Sequence, residues 1–129
     1  MDQIVLTVPA KPEYAMVIRL TASAIASRAE FSMDEIEDIK AAVAEAAIII
    51  MNQNYKIETL KLVFTLQNQF GIKLDVYADK LKNEKTSENN KMFNELSFFL
   101  IESLMENVDV KKQNDIIYSI SMCKKCGGN

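Results

Sequence analysis

Met33–Asn54, MDEIEDIKAAVAEAAIIIMNQN, is the stretch around which the rest of the chain organises. Ser32 just before it and Glu35 within it form the S-x-x-E pattern of a capping box, the mark of a helix start. Ile36, Ile39, Val43, Ala46 and Ile50 follow at three- and four-residue intervals and suffice for one core-facing stripe. Ile48 and Ile49 fall off that stripe, on the side that carries Glu45, because residues three and four apart are helix neighbours. A carboxylate thus sits one turn from aliphatic side chains, where a catalytic acid or base would have polar company.

On either side of this helix the pattern changes period. Asp2–Val8 alternates Ile4, Leu6 and Val8 and reads as a first strand closed by Pro9. Lys11–Ala29 reads as a helix with Pro12 in its first turn and an apolar stripe of Ala15, Ile18, Ala22 and Ile25. Downstream, Leu60, Leu62, Phe64 and Leu66 share one face of a strand, and Ile72, Leu74, Val76 and Ala78 one face of the next. The short Gln67–Gly71 linker makes these two a hairpin. Asp79–Lys91 reads as a polar, charge-mixed loop, Met92–Glu106 as a third helix, and Val108–Val110 and Asp115–Met122 as closing strands around a Lys111–Asn114 turn. The order β-α-α-β-β-α-β-β predicts an α+β two-layer sandwich, a mostly antiparallel sheet with helices on one face. Residues 1–122 form the single domain and 123–129 a C-terminal tail.

Bulk properties narrow the function classes. A chain of 129 residues, 49% apolar and 26% charged, is one soluble-type domain long enough to bury a core. A net charge of −3 without a basic cluster gives no general attraction to nucleic acid. No apolar run reaches the length of a membrane span and the N-terminus is not a signal peptide, so a cytoplasmic protein without a membrane partner is expected. There is no histidine, which excludes a His ligand or His base. The three glycines, Gly71, Gly127 and Gly128, leave Ile72–Cys126 without one, so that half lacks the residue that lets backbone approach a phosphate. Cys123-Lys124-Lys125-Cys126 is a lone CxxC without the two further ligands a zinc site needs.

The stretch Val5–Tyr55, with Ala44-Glu45-Ala46-Ala47-Ile48-Ile49 at its centre, closely resembles the anti-sigma factor serine-protein kinases of Gram-positive bacteria. These are small members of the histidine-kinase-like ATPase superfamily (GHKL, Bergerat fold), whose helix reads like S-E-A-x-T-N. Phe98–Val108, FFLIESLMENV, is similar to the family's L-F-L-I-E-S-L-M-D-E-V run, and the element order also matches. The resemblance implies the Bergerat-type sandwich and gives Glu45 the family's general-base position, a solvated helix glutamate being the ordinary alternative. It places Ile49 where the family has its magnesium-binding Asn. Isoleucine offers no oxygen to an ion that demands hard, octahedral oxygen ligands, so no metal residue is expected. Gln53 stands near the family's histidine position, a full turn beyond Ile49.

Asp79 matches the Asp that binds the adenine amino group in a D-x-G-x-G pattern, but here the run is Asp79-Lys80-Leu81-Lys82-Asn83, both glycines gone. Asp79 reads equally as a turn residue closing its strand. Where the family has a phosphate-cradling G-x-G before the third helix, this chain has Glu95-Leu96-Ser97. Glu95 would answer the helix N-terminus with its own carboxylate and repel a triphosphate, while Ser97 keeps only a hydroxyl for a nucleotide. Lys80, Lys82, Lys85 and Lys91 could gather around phosphates but are diluted by Glu84 and Glu88. Arg19 falls where the family's first helix uses an arginine on both its sigma factor and its anti-anti-sigma partner, the alternative being a plain surface arginine.

The resemblance therefore implies an anti-sigma-like transcription regulator that binds a sigma factor or a partner-switching protein, forms homodimers, and has lost ATP binding and kinase activity. ATP and Mg2+ would be cofactors only if the degenerate site still binds. An active kinase using Glu45 and Asp79, and an inactive structural partner of an intact homologue, are the competing expectations.

Overall fold

The computed structural model describes residues 1–53, 55–68, 70–85 and 91–126, and of Lys56, 81–85 and 91–94 the backbone alone. Its elements follow the order read from the sequence: β1 (Asp2–Pro9), a 3-10 turn (Pro12–Tyr14), α1 (Ala15–Ala26), α2 (Met33–Met51), β2 (Tyr55–Leu66), β3 (Gly71–Lys85), α3 (Lys91–Leu104), β4 (Glu106–Gln113) and β5 (Ile116–Lys125). The strands form one antiparallel sheet in the order β1-β2-β3-β5-β4. The α+β sandwich is as expected, with the helices packed on one face.

Strand alternation decides which face that is. Leu60, Leu62, Phe64 and Leu66 of β2, and Ile72, Leu74 and Val76 of β3, are buried and share the core with Ile120 and Met122 of β5. Their neighbours along each strand face away in cross-strand rows: Gln3, Thr65, Lys73, Cys123 and Glu106 form one, Val5, Val63, Asp75, Ser121 and Asp109 another. Two hydrogen bonds cross those rows, Gln3 Nε2 to Thr65 Oγ1 at 3.4 Å and Ser121 Oγ to Asp75 Oδ1 at 2.6 Å. Each fully buried aliphatic side chain on the inner face contributes roughly 1.5–3 kcal/mol.

The capping box of α2 is present in both halves. Ser32 Oγ accepts from the Glu35 N–H at 3.2 Å, and Glu35 Oε1 accepts from the Ser32 N–H at 2.8 Å. The burial of α2 is wider than one stripe. Ala42, Val43, Ala44, Ala46, Ala47, Ile49 and Ile50 are all buried, because α2 lies on the sheet with α1 along one flank and α3 along the other. Alanines at four of those positions let the neighbouring elements approach closely. Ile49, off the core stripe in a one-face reading, is thereby a core residue with no exposed surface.

Several boundaries differ from the sequence reading, among them the helix read over Lys11–Ala29, which is a 3-10 turn followed by Ala15–Ala26, and β4, read as Val108–Val110 and found over Glu106–Gln113. Three differences bear on the site. The stretch read as a loop from Asp79 is strand as far as Lys85, paired to the early part of β2 through Ile57↔Leu81 and Tyr55↔Lys85 with register shifts between. β5 pairs with β3 only up to Tyr77, so this part of the hairpin runs on past β5, and Asp79 and Lys80 at its start are exposed. Residues 86–90 of the expected loop lie outside the described residues. The second difference is the β4–β5 turn, which is the two-residue Asn114-Asp115 pair, both at positive φ (54° and 63°), the signature of a type I′ hairpin. β5 also runs on to Lys125, past the Met122 at which the alternation seemed to end.

Third, α3 ends at Leu104 and the chain enters β4 after Met105 alone. Lys124 closes that corner: its Nζ donates to the Leu104 carbonyl at 2.6 Å and lies 3.5 Å from Asp38 Oδ2, tying α3, β5 and α2 together. A cation on the last carbonyls of a helix also opposes the negative end of its dipole.

Candidate functional site

Glu45 and Ile49 lie one turn apart on α2, Asp79 on β3 and Ser97 on α3, and α2 packs against both of the other elements. Glu45 is half-buried, with no ion pair among the described residues. Ile49 is wholly enclosed by core, so the position that the resemblance assigns to a magnesium ligand is filled by hydrocarbon. Among the described residues no group of three or more His, Cys, Asp or Glu is close enough to hold a metal ion.

Gln53 does not supply the missing oxygen. Its Oε1 accepts from the Ile117 N–H at 2.7 Å, and its Nε2 donates to the Ile117 carbonyl and, at 3.5 Å, to that of Ile50. One side-chain amide thus mimics a strand neighbour and fastens the end of α2 to the start of β5. Removing it leaves a part-buried N–H and C=O unpaired, each costing about 1–3 kcal/mol. Gln53→Ala is accordingly expected to lower the unfolding free energy by about 2 kcal/mol in a urea melt; an unchanged midpoint would show the clamp to be dispensable.

The nucleotide-facing positions are likewise occupied by ordinary secondary structure. Asp79 does not close its strand: it lies within β3, exposed, with Oδ2 accepting from Thr59 Oγ1 at 3.4 Å. Glu95 is not at a helix start either, since α3 begins at Lys91 and carries no acidic residue in its first turn. The amides of residues 95–97 therefore fall past the free first turn and are spent on i−4 carbonyls of α3 itself. Ser97 is the one buried polar side chain among the described residues, 4% exposed in the interior of α3. None of the three described cavities is lined by Glu45, Ile49, Asp79 or Ser97. Ile49 offers no oxygen with which a magnesium ion could be held at its position. Of the lysines, Lys80 is exposed on β3, while the side chains of Lys82, Lys85 and Lys91 lie outside the described residues, as does Glu88.

Neither cysteine is in a disulfide, and the two fall on opposite sides of the sheet. Cys123 stands in the outer row between Lys73 and Glu106, whereas Cys126 packs against the core and its N–H donates to the Phe70 carbonyl at 2.8 Å. Burial pushes both thiols up from their ordinary range, most strongly opposed at Cys123 by the charge of Lys73. A raised thiol pKa means less thiolate at a given pH, so both should alkylate more slowly at pH 8 than a free cysteine, with reaction quickening only at higher pH. Mass spectrometry after timed iodoacetamide exposure reads this, and equal rates would contradict it.

Around Arg19 the surface has another character. Ile18, Ala22, Ile25 and Ala26 turn α1 to the core, and Arg19 faces out, exposed. Beside it Met16 (62% exposed), Val17 and Leu20 (59% exposed) are also turned to solvent. The sequence reading of α1 accounted for its core stripe and passed over these. The signal was there: three large apolar residues fall outside the Ala15-Ile18-Ala22-Ile25 series. No helix of the described residues is long and apolar enough to cross a membrane.

No family model matches the chain. Curated proteins do. The chain is 31% identical to the serine-protein kinase RsbW of Halalkalibacterium halodurans, over 93% of its own length and 82% of that protein's. It is 34% identical to the serine-protein kinase RsbW of Listeria innocua, over 95% and 87%, and 36% identical to that of Staphylococcus aureus strain MSSA476, over 95% and 86%.

Proposed function

Because this chain belongs to the serine-protein kinase RsbW family, we propose that it acts as an anti-sigma-like regulator that holds a sigma factor or a partner-switching protein on α1 without using ATP. The observation that carries this reading is the outward face of α1, where Arg19 stands among exposed Met16, Val17 and Leu20. Apolar side chains grouped on a soluble surface mark a contact site, and an arginine among them supplies a planar fork for a partner carboxylate. Arginine is among the residue types that dominate binding energy at interfaces.

Phosphoryl transfer depends on positioning and on cations that neutralise the developing charge. Here Ile49 fills the metal position, Gln53 is committed to Ile117, and the amides of residues 95–97 serve α3. Glu45, to which the resemblance gives the place of the base, is half-buried one turn from Ile49. Binding is the function that such an arrangement retains.

The test is capture of a sigma factor, and separately of an anti-anti-sigma protein, in nucleotide-free buffer and again with millimolar Mg·ATP. The expected result is complex formation with one of them at the same affinity in both buffers and no phosphate transferred to the anti-anti-sigma protein. Transfer of labelled phosphate to a serine of that protein would overturn the reading. So would a complex that forms only with nucleotide.

A further inference from the structure

At the far end of the sheet from β1, α3 and β4 stand apart and leave a groove of about 400 Å³ lined by Glu95, Phe98, Phe99, Glu102, Val110 and Lys112. Three properties meet there. β4 is the last strand in the sheet, so among the described residues one side of its backbone has no strand partner. The helix wall is apolar and open to solvent, Phe99 being 76% exposed with Leu96 and Leu100 beside it. The charge is one-sided: two carboxylates, Glu95 and Glu102, face one ammonium, Lys112, and neither carboxylate has an ion pair among the described residues.

We propose that this groove binds an extended, basic peptide segment of a partner protein, added as a sixth strand to the free edge of β4. An edge strand recognises such a segment through main-chain hydrogen bonds, while alternate side chains of the segment enter the adjoining pocket. Glu95 and Glu102 are seven residues apart on one helix, about 10.5 Å along its axis, with Phe98 and Phe99 between. In a strand, residues four apart are separated by about 13 Å. An apolar residue flanked two positions away on each side by Lys or Arg therefore sets its hydrophobic group against Phe98, Phe99 and Val110 and its charges near the two carboxylates. A second copy of this chain is a poorer occupant. Its β4 carries a register shift between Glu106 and Asp109 at Asn107 (φ 51°), an irregularity of the kind that guards an edge against self-pairing. This surface is separate from the one around Arg19.

The test uses nitrogen-15-labelled full chain and a seven-residue threonine peptide with leucine at its centre and lysine two positions to either side. The expected result is amide shift changes confined to α3 and β4, binding that weakens with salt, and a dissociation constant raised on the order of tenfold in the Glu95→Gln/Glu102→Gln variant. Phe99→Ser, at an exposed position, should weaken it similarly while leaving the circular dichroism spectrum unchanged. A control peptide with glutamates in place of the lysines should not bind. Equal binding of the two peptides, shifts mapping to β1 or α1, or no shifts at millimolar peptide would each overturn the proposal. So would a dimer in sedimentation that Phe99→Ser disperses, since the groove would then belong to a second copy.

Discussion

Ile49→Asn, which restores the residue type that the family resemblance puts at this place, is expected to unfold the protein rather than rebuild a site. Ile49 has no exposed surface and sits among Ala46, Ile50 and the core side chains of the sheet. Trimming a buried isoleucine costs about 2–5 kcal/mol, and an amide left there without partners costs about 1–3 kcal/mol more. Domains of this size hold only about 5–15 kcal/mol in total. A urea melt should show a loss of about 4 kcal/mol or no folded baseline at all, and adding Mg·ATP should not recover it. A variant that melts like the parent and is stabilised by Mg·ATP would show that Ile49 plugs a pocket still capable of opening.

The second large effect is expected on α1. Leu20→Glu places a carboxylate on an exposed apolar position, so the fold should tolerate it with a change of less than about 0.5 kcal/mol. Capture of the sigma factor or anti-anti-sigma partner should nevertheless weaken about 100-fold, the cost of burying an unpaired charge at the centre of an interface. Arg19→Ala should weaken it about tenfold or more, as expected when a partner carboxylate loses its fork. Affinity is read by fluorescence anisotropy of the labelled partner, with melting temperature as the control for folding. Undiminished affinity in both variants would move the interface away from α1.

The elements that were legible in the sequence are those whose local signals and burial agree. The alternation of Leu60, Leu62, Phe64 and Leu66 is the alternation of the core face, and the Ser32/Glu35 box opens α2 as its spacing indicates. Periodicity failed where tertiary packing overrode it. α2 is enclosed on three sides, so Ile49 is core although it lies off the main stripe. The Asp79–Lys85 strand runs on past β5, and its polar composition made it look like a loop. The start of the third helix was legible to within one residue, Met92 against Lys91, and on either start Ser97 lies inside the helix; it was the family resemblance that set Glu95 and Ser97 at a helix N-terminus. The Gln53 clamp on Ile117 spans 64 residues and has no local signature.

Thermal denaturation in rising Mg·ATP addresses the central claim most directly. A ligand at one hundred times its dissociation constant stabilises a fold by about 2.7 kcal/mol, a rise of several degrees in Tm for a domain of this length. With hydrocarbon at the metal position and the neighbouring amides engaged, the melting temperature should stay constant up to about 5 mM nucleotide, a concentration that would reveal sites as weak as millimolar. A saturable rise that requires magnesium and is abolished by Asp79→Ala would contradict the account.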